Sequence, residues 1–242
     1  MANPSLTKVI GCCRCEWVSY GVNPAMVMPM TPKLNHLEAE VAGLLVGKSC
    51  PLSFAHVRAF MMGSIASPSE QISPQLVLQT AWRGKIPEFK SLDDVNAFYD
   101  LLINRFWNSL VQHQERKNPF RLLPASCKPT LGQMGALATL RLEEVSGFFD
   151  GLCGPDDELV LPRRANQALE ALNGMTPLLA GLAKLSLDKS QKARPEEIQM
   201  TIRQIDELTE IAEKEINAAI LACHRDRTNQ LTRSSTGKNR IH

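Results

Sequence analysis

The chain has 242 residues, 44% hydrophobic and 21% charged, a balance that supplies a buried core and excludes disorder throughout. Twenty-seven basic and 25 acidic residues leave a formal charge of +2, so no global field steers it toward nucleic acid or an anionic membrane. No uncharged apolar run reaches the roughly 18 residues of a membrane-spanning helix.

Residues 1–33 carry four prolines (Pro4, Pro24, Pro29, Pro32) and three cysteines without a sustained hydrophobic period, and are expected to form a flexible extension. Val9-Ile10-Gly11-Cys12 has the outline of a lipoprotein cleavage box, but Lys8 stands where the apolar stretch should be, so a cytosolic chain is expected. Seven scattered cysteines form no disulfide framework, and reduced thiols are expected.

Order is expected to begin near Pro32. Leu34, Leu37, Val41, Leu44 and Leu45 follow helical spacing, and Gly47 is placed to end the segment. Ser53 is a candidate N-cap for a helix through Ala66. Ser73-Pro74 and Thr176-Pro177 each pair an N-cap residue with proline at the first helical position, and each predicts a helix start. Ser91-Leu-Asp-Asp94 resembles a capping box and opens a long helix on Val95, Phe98, Leu102, Phe106 and Leu110.

After a connection broken by Pro119, Pro124 and Pro129, helices are predicted around 131–138, 142–153, 163–173 and 177–187. The last helix begins at Pro195, with Glu196 and Glu197 in its first turn. Ile198, Ile202, Ile205, Leu208, Ile211, Ile216, Ile220 and Cys223 share its broad apolar face. No period-2 strand with turn chemistry is evident, and the expected class is all-α.

An internal similarity sharpens the architecture. At an offset of 88 residues, Leu52, Val57, Phe60, Gly63, Glu70 and Pro74 align with Leu140, Val145, Phe148, Gly151, Glu158 and Pro162. Ala59/Gly63 and Gly147/Gly151 put small residues four apart on one helix face. Helical glycine costs about 0.5–1 kcal/mol relative to alanine, so a close neighbouring backbone is expected there as the offsetting gain. Two quasi-repeated helical units plus a long C-terminal helix would make a bilobed or pseudo-symmetric bundle.

The succession LSFAHVRAFMMGSIASP, AWRGKIPEFKSLDDVNAFYDLLINRFWNSL and EEVSGFFDGLCG resembles the YecA/YgfB family of uncharacterised bacterial proteins, over about residues 36–226. The ending AAILACHRD is similar to the YgfB branch. The resemblance implies an all-α cytosolic bacterial protein with no established enzymatic activity. The cysteine-rich zinc module that ends some YecA-like members is not matched by RSSTGKNRIH, so zinc is not carried over. Ala59 and Ser67-Pro68 also depart from the usual glycine and Gly-Pro. The implied organisation is a flexible extension over 1–33, a helical domain over 34–225 and a basic, disordered tail over 226–242.

Candidate sites are few. Cys12 and Cys15 have C-x-x-C spacing beside Cys13, but a zinc site needs four ligands, and only His36 and Cys50 are available to fold back. Cys223-His224 resembles half of a nucleophile-base pair, although helical neighbours diverge by about 100°. His56 and His113 are isolated, and no P-loop, dinucleotide fingerprint or hydrolase signature is present. The acidic run EEVSGFFDGLCGPDDE fails as a calcium loop, because Leu152 and Pro155 occupy the third and sixth positions from Asp150. It is better explained as a buried helix ended by Gly154-Pro155 and followed by an acidic turn.

No catalytic, cofactor-binding or metal-ligating residue is therefore assigned. The expected function is a non-enzymatic protein-interaction or regulatory module whose partner is another protein, bound through the last helix or the groove between the two units. The last helix holds seven acids and two bases between Glu196 and Glu215. The alternatives are a zinc- or thiol-dependent role for the N-terminal cysteines and nucleic-acid contact through the tail, where residues 224–242 carry five Lys/Arg against one acid. No membrane partner is expected, and the oligomeric state is left open.

Overall fold

A computed structural model describes residues 6–8, 32–69, 73–154, 159–188 and 193–238. They form an all-α bundle: α1 (His36–Gly47), α2 (Phe54–Ala66), α3 (Pro74–Ala81), α4 (Leu92–Tyr99), a π-helical stretch Asp100–Trp107, α5 (Asn108–Val111), α6 (Leu131–Cys153), α7 (Arg163–Leu185) and α8 (Pro195–Lys238). A single antiparallel pair joins β1 (Leu6–Lys8) to β2 (Val160–Pro162), with Leu6 opposite Pro162 and Lys8 opposite Val160. Three residues are too few to leave a period in the sequence, and partner pairing alone defines these strands.

Local chemistry sets most helix starts. Asn35 and Glu38 form a reciprocal capping box that begins α1 two residues after Leu34. Ser53, Ser73 and Ser91 cap α2, α3 and α4 by accepting the N–H groups of His56, Leu76 and Asp94. At Ser91 the box is altered, since Asp94 accepts from the Lys90 N–H.

Tertiary packing corrects the helix count. Predicted helices 131–138 and 142–153 are one helix, α6, as Thr139, Leu140 and Arg141 are buried and carry no breaker. Segments 163–173 and 177–187 likewise merge into α7, with Pro177 inside it rather than at a start. Proline removes the bond to the Asn173 carbonyl, but Leu172, Met175, Leu179 and Ala183 lie buried along one unbroken face, and that burial outweighs the break. Thr176 Oγ1 donates to the Leu172 carbonyl instead of capping a new helix. At the other end of the chain, α8 continues as helix to Lys238, past residue 226 where the basic tail was expected to lose order.

The long helix after Ser91 buries Phe98, Leu102, Phe106 and Leu110, every fourth residue. On an α-helix that spacing drifts about 40° per step, and the underwound π-helical stretch keeps the four side chains on one side.

At the centre, α2 and α6 run side by side in the same direction: Ser53 before α2 bonds Glu143, and Gly63 near its end meets Leu152. Every residue from Val57 to Ala66 is buried. A Cβ at Gly63 would collide with Phe148 O and lie 2.7 Å from Leu152 N; one at Gly151 would collide with Phe60 O and lie 2.8 Å from Ser64 N. The close neighbour expected from the small residues is therefore the other helix of the 88-residue alignment. The elements that follow differ, α3 having 8 residues and α7 having 23.

The main core gathers Val57, Phe60, Phe98, Phe106, Phe120, Val145 and Phe148 with Ile216 and Ile220 of α8. A smaller core joins Met134 and Leu137 of α6 to Leu179 and Ala183 of α7 and to Ile198, Ile202 and Ile205 of α8. The apolar face of α8 is thus largely consumed inside the bundle. Among the described residues, no helix is long and apolar enough to cross a membrane.

Candidate functional site

The densest polar network surrounds the connection between the π-helical region and α6. Pro119 and Pro124 keep this segment from helix, yet Phe120, Leu122 and Leu123 are buried, so their backbone groups need partners. Side chains from three helices provide them. Asn217 of α8 accepts from the Phe120 N–H (2.8 Å) and donates to the Phe120 carbonyl (2.8 Å). Arg58 of α2 donates to the Arg121 carbonyl, and Glu213 accepts from the Leu122 N–H and the Arg121 guanidinium. Glu144 accepts from the Leu123 N–H at 2.7 Å while Arg141 donates to the Leu123 carbonyl at 2.9 Å. Lys33 N–H closes the series at the Pro124 carbonyl.

Two buried ion pairs underlie this clamp. Arg58 pairs with Glu38 at 2.9 Å and lies over the Phe120 ring, 4.4 Å from its centroid. Arg141 pairs with Glu144, whose side chain is 1% exposed. Burial pushes the Glu144 carboxyl up, against the opposing pull of Arg141 and the Leu123 N–H. Arg141 Nε has no hydrogen-bond partner and is buried. Arg141 also lies beside Met175, Leu179, Ile205 and Leu208 at the junction of α6, α7 and α8. Each carboxylate of the network faces an arginine or a backbone N–H, so together these side chains hold the 120–123 segment in place.

The residues singled out in the sequence do not converge. Cys12, Cys13 and Cys15 lie outside the described residues. Their possible co-ligands are engaged elsewhere: His36 pairs with Glu40 at 2.9 Å, and the Cys50 thiol donates to the Ala81 carbonyl. His56 stands 3.3 Å from Asp150 across the α2–α6 contact. Cys223 is fully buried, and burial pushes its thiol up to about 12, far from a reactive thiolate. Neighbouring His224 turns away, its Nδ1 3.1 Å from Gln114 Oε1. Among the described residues, no group of three His, Cys, Asp or Glu side chains is arranged to hold a metal ion. The acidic turn expected at 156–158 also lies outside the described residues.

His113 is the exception that titrates usefully. Its Nδ1–H donates to the Asn118 carbonyl at 3.0 Å, its ring packs edge-on against Phe120, and burial lowers its basicity. A histidine whose folded pKa is depressed binds its proton more readily when unfolded, so stability falls as pH drops below the unfolded value of about 6.5. Chemical denaturation of His113→Gln should show a shallower loss of stability than the wild type between about pH 6.5 and 5. Identical slopes would remove His113 from the acid response.

Arg58, Arg141, Glu144 and Asn217 escape sequence reasoning because their role depends on a distant segment. The one local signal was an opposite-charge pair at i, i+3, Arg141 and Glu144, between the core positions Leu140 and Val145. No protein-family model, curated protein or solved structure matches the chain.

Proposed function

We propose that the protein is a non-enzymatic helical interaction module of YecA/YgfB type, working in the bacterial cytoplasm and docking another protein on the outer face of α8. The observation that carries this reading is the exposure of Met200 (58%) and Ile211 (46%) on a helix whose Ile198, Ile202, Ile205, Ile216 and Ile220 pack inward. Eleven residues apart, they lie within about 20° of one another around the helix. Exposed Glu207 lies within about 40° of both around the helix, with exposed Arg203 and Lys214 on the same side, so the face is apolar with charges of both signs, which favours a protein partner over nucleic acid. The commitment of Cys223, His56, His113 and His224 to internal contacts supports a binding role over a catalytic one.

Affinity capture followed by identification of the bound protein tests the reading. A retained protein should be lost, by tenfold or more, from the Met200→Asp/Ile211→Asp variant while its thermal midpoint stays at the wild-type value. Undiminished capture by that variant would refute this face as the docking surface.

A further inference from the structure

The outer face of α7 carries a pattern that its own fold does not use. Gln167, Ala171, Gly174, Leu178, Gly181 and Leu185 are spaced alternately by four and three residues, the seam of a coiled coil, over about 27 Å of helix. All six are exposed, Leu178 at 57% and Leu185 at 41%. The inward face of the same helix is a separate set, including Ala168, Leu172, Met175, Leu179 and Ala183, packed on the bundle. A Cβ at Gly174 or Gly181 would meet nothing within 4 Å, so the seam is open to an approaching helix.

The seam is complementary to itself. Gly174 and Leu178, Ala171 and Gly181, and Gln167 and Leu185 are each placed symmetrically about residue 176. A two-fold axis through that position, relating two antiparallel helices, sets each Leu178 against the other copy's Gly174 and each Ala171 against its Gly181, a knob facing a hole. The same axis brings like flanks together. Glu170 and Lys184 occupy one flank of the seam, both exposed and neither in an ion pair among the described residues. In the antiparallel arrangement Glu170 of each copy falls about 3 Å along the axis from the level of Lys184 in the other, within reach of a salt bridge. An unrelated partner would require neither the symmetry of the seam nor that of the charges.

We infer that this face binds a second copy of the chain, through antiparallel pairing of α7 with α7. This surface is distinct from the outer face of α8 invoked for another protein, so either proposal can fail without the other.

Sedimentation velocity on the full chain, from 1 to 200 µM, reads the outcome. The wild type should pass from monomer to dimer within that range. Leu178→Glu should remain monomeric throughout, with an unchanged thermal midpoint because the side chain is outside the core. Glu170→Lys and Lys184→Glu should each weaken dimerisation several-fold, and the double exchange should restore it toward the wild-type midpoint. A wild type monomeric at 200 µM, a dimer indifferent to Leu178→Glu, or a double exchange no better than either single change would each overturn the assignment. Coverage of the face by another segment of the same chain corresponds to the first of these results.

Discussion

Gly151→Ala is expected to destabilise the protein by about 3 kcal/mol, the upper part of the usual range for overpacking a tight core. The added carbon would collide with the Phe60 carbonyl oxygen and lie 2.8 Å from the Ser64 nitrogen, both backbone atoms of a helix that is itself buried. No side-chain rotation relieves such a contact, so α2 and α6 must separate and loosen Val57, Phe60, Val145 and Phe148 together. For a chain of this size the loss corresponds to roughly 10 °C in Tm. The matched control is Gly43→Ala in α1, where the new Cβ meets nothing within 4 Å and a gain of about 0.5–1 kcal/mol is expected from helix propensity. Equal thermal midpoints for the two variants would show that the glycines are not there for close approach.

The second large effect concerns the clamp. Glu144→Leu strands the Arg141 guanidinium in the interior and also removes the acceptor of the Leu123 N–H. Breaking a buried pair from one side costs about 3–5 kcal/mol, and that loss is expected in denaturant unfolding. Adding Arg141→Met should recover part of it by removing the uncompensated charge. Recovery stays incomplete, because the Leu123 N–H and carbonyl then both lack partners, at about 1–3 kcal/mol for each buried group left unsatisfied. A single-variant cost below about 1 kcal/mol would mean that water reaches the pair and that it does not anchor the 119–125 segment.

The clamp also bears on how the bundle is held as one body. Asn217 and Glu213 reach from α8, Arg58 from α2, and Arg141 with Glu144 from α6, all to the four residues Phe120, Arg121, Leu122 and Leu123. The segment does for these helices what a strand would do in a sheet, except that side chains replace the ladder. Asn217 and Glu213 were legible in the sequence only as polar residues of an acidic helix, since nothing local marks a residue that serves a backbone about 90 positions away.

The sequence by itself determined the starts of α2, α3 and α4 and the need for a close neighbour at the helical glycines of the central pair. Ser53, Ser73 and Ser91 cap through hydrogen bonds that span three residues, so a short window contains the whole cause. Gly63, Gly147 and Gly151 are similarly informative, because two helical glycines on one face are unfavourable without a neighbour. Tertiary structure alone decided where helices do not stop. Arg141 stays helical in mid-α6 and Pro177 in mid-α7 because burial along a continuous face outweighs a local preference worth a few kcal/mol at most. It also decided which side of α8 turns inward: Ile198, Ile202, Ile205, Ile216 and Ile220 meet the bundle, whereas Ile211, expected on the same face, stands outside with Met200, because at about 100° per residue it lies about 120–180° around the helix from those five.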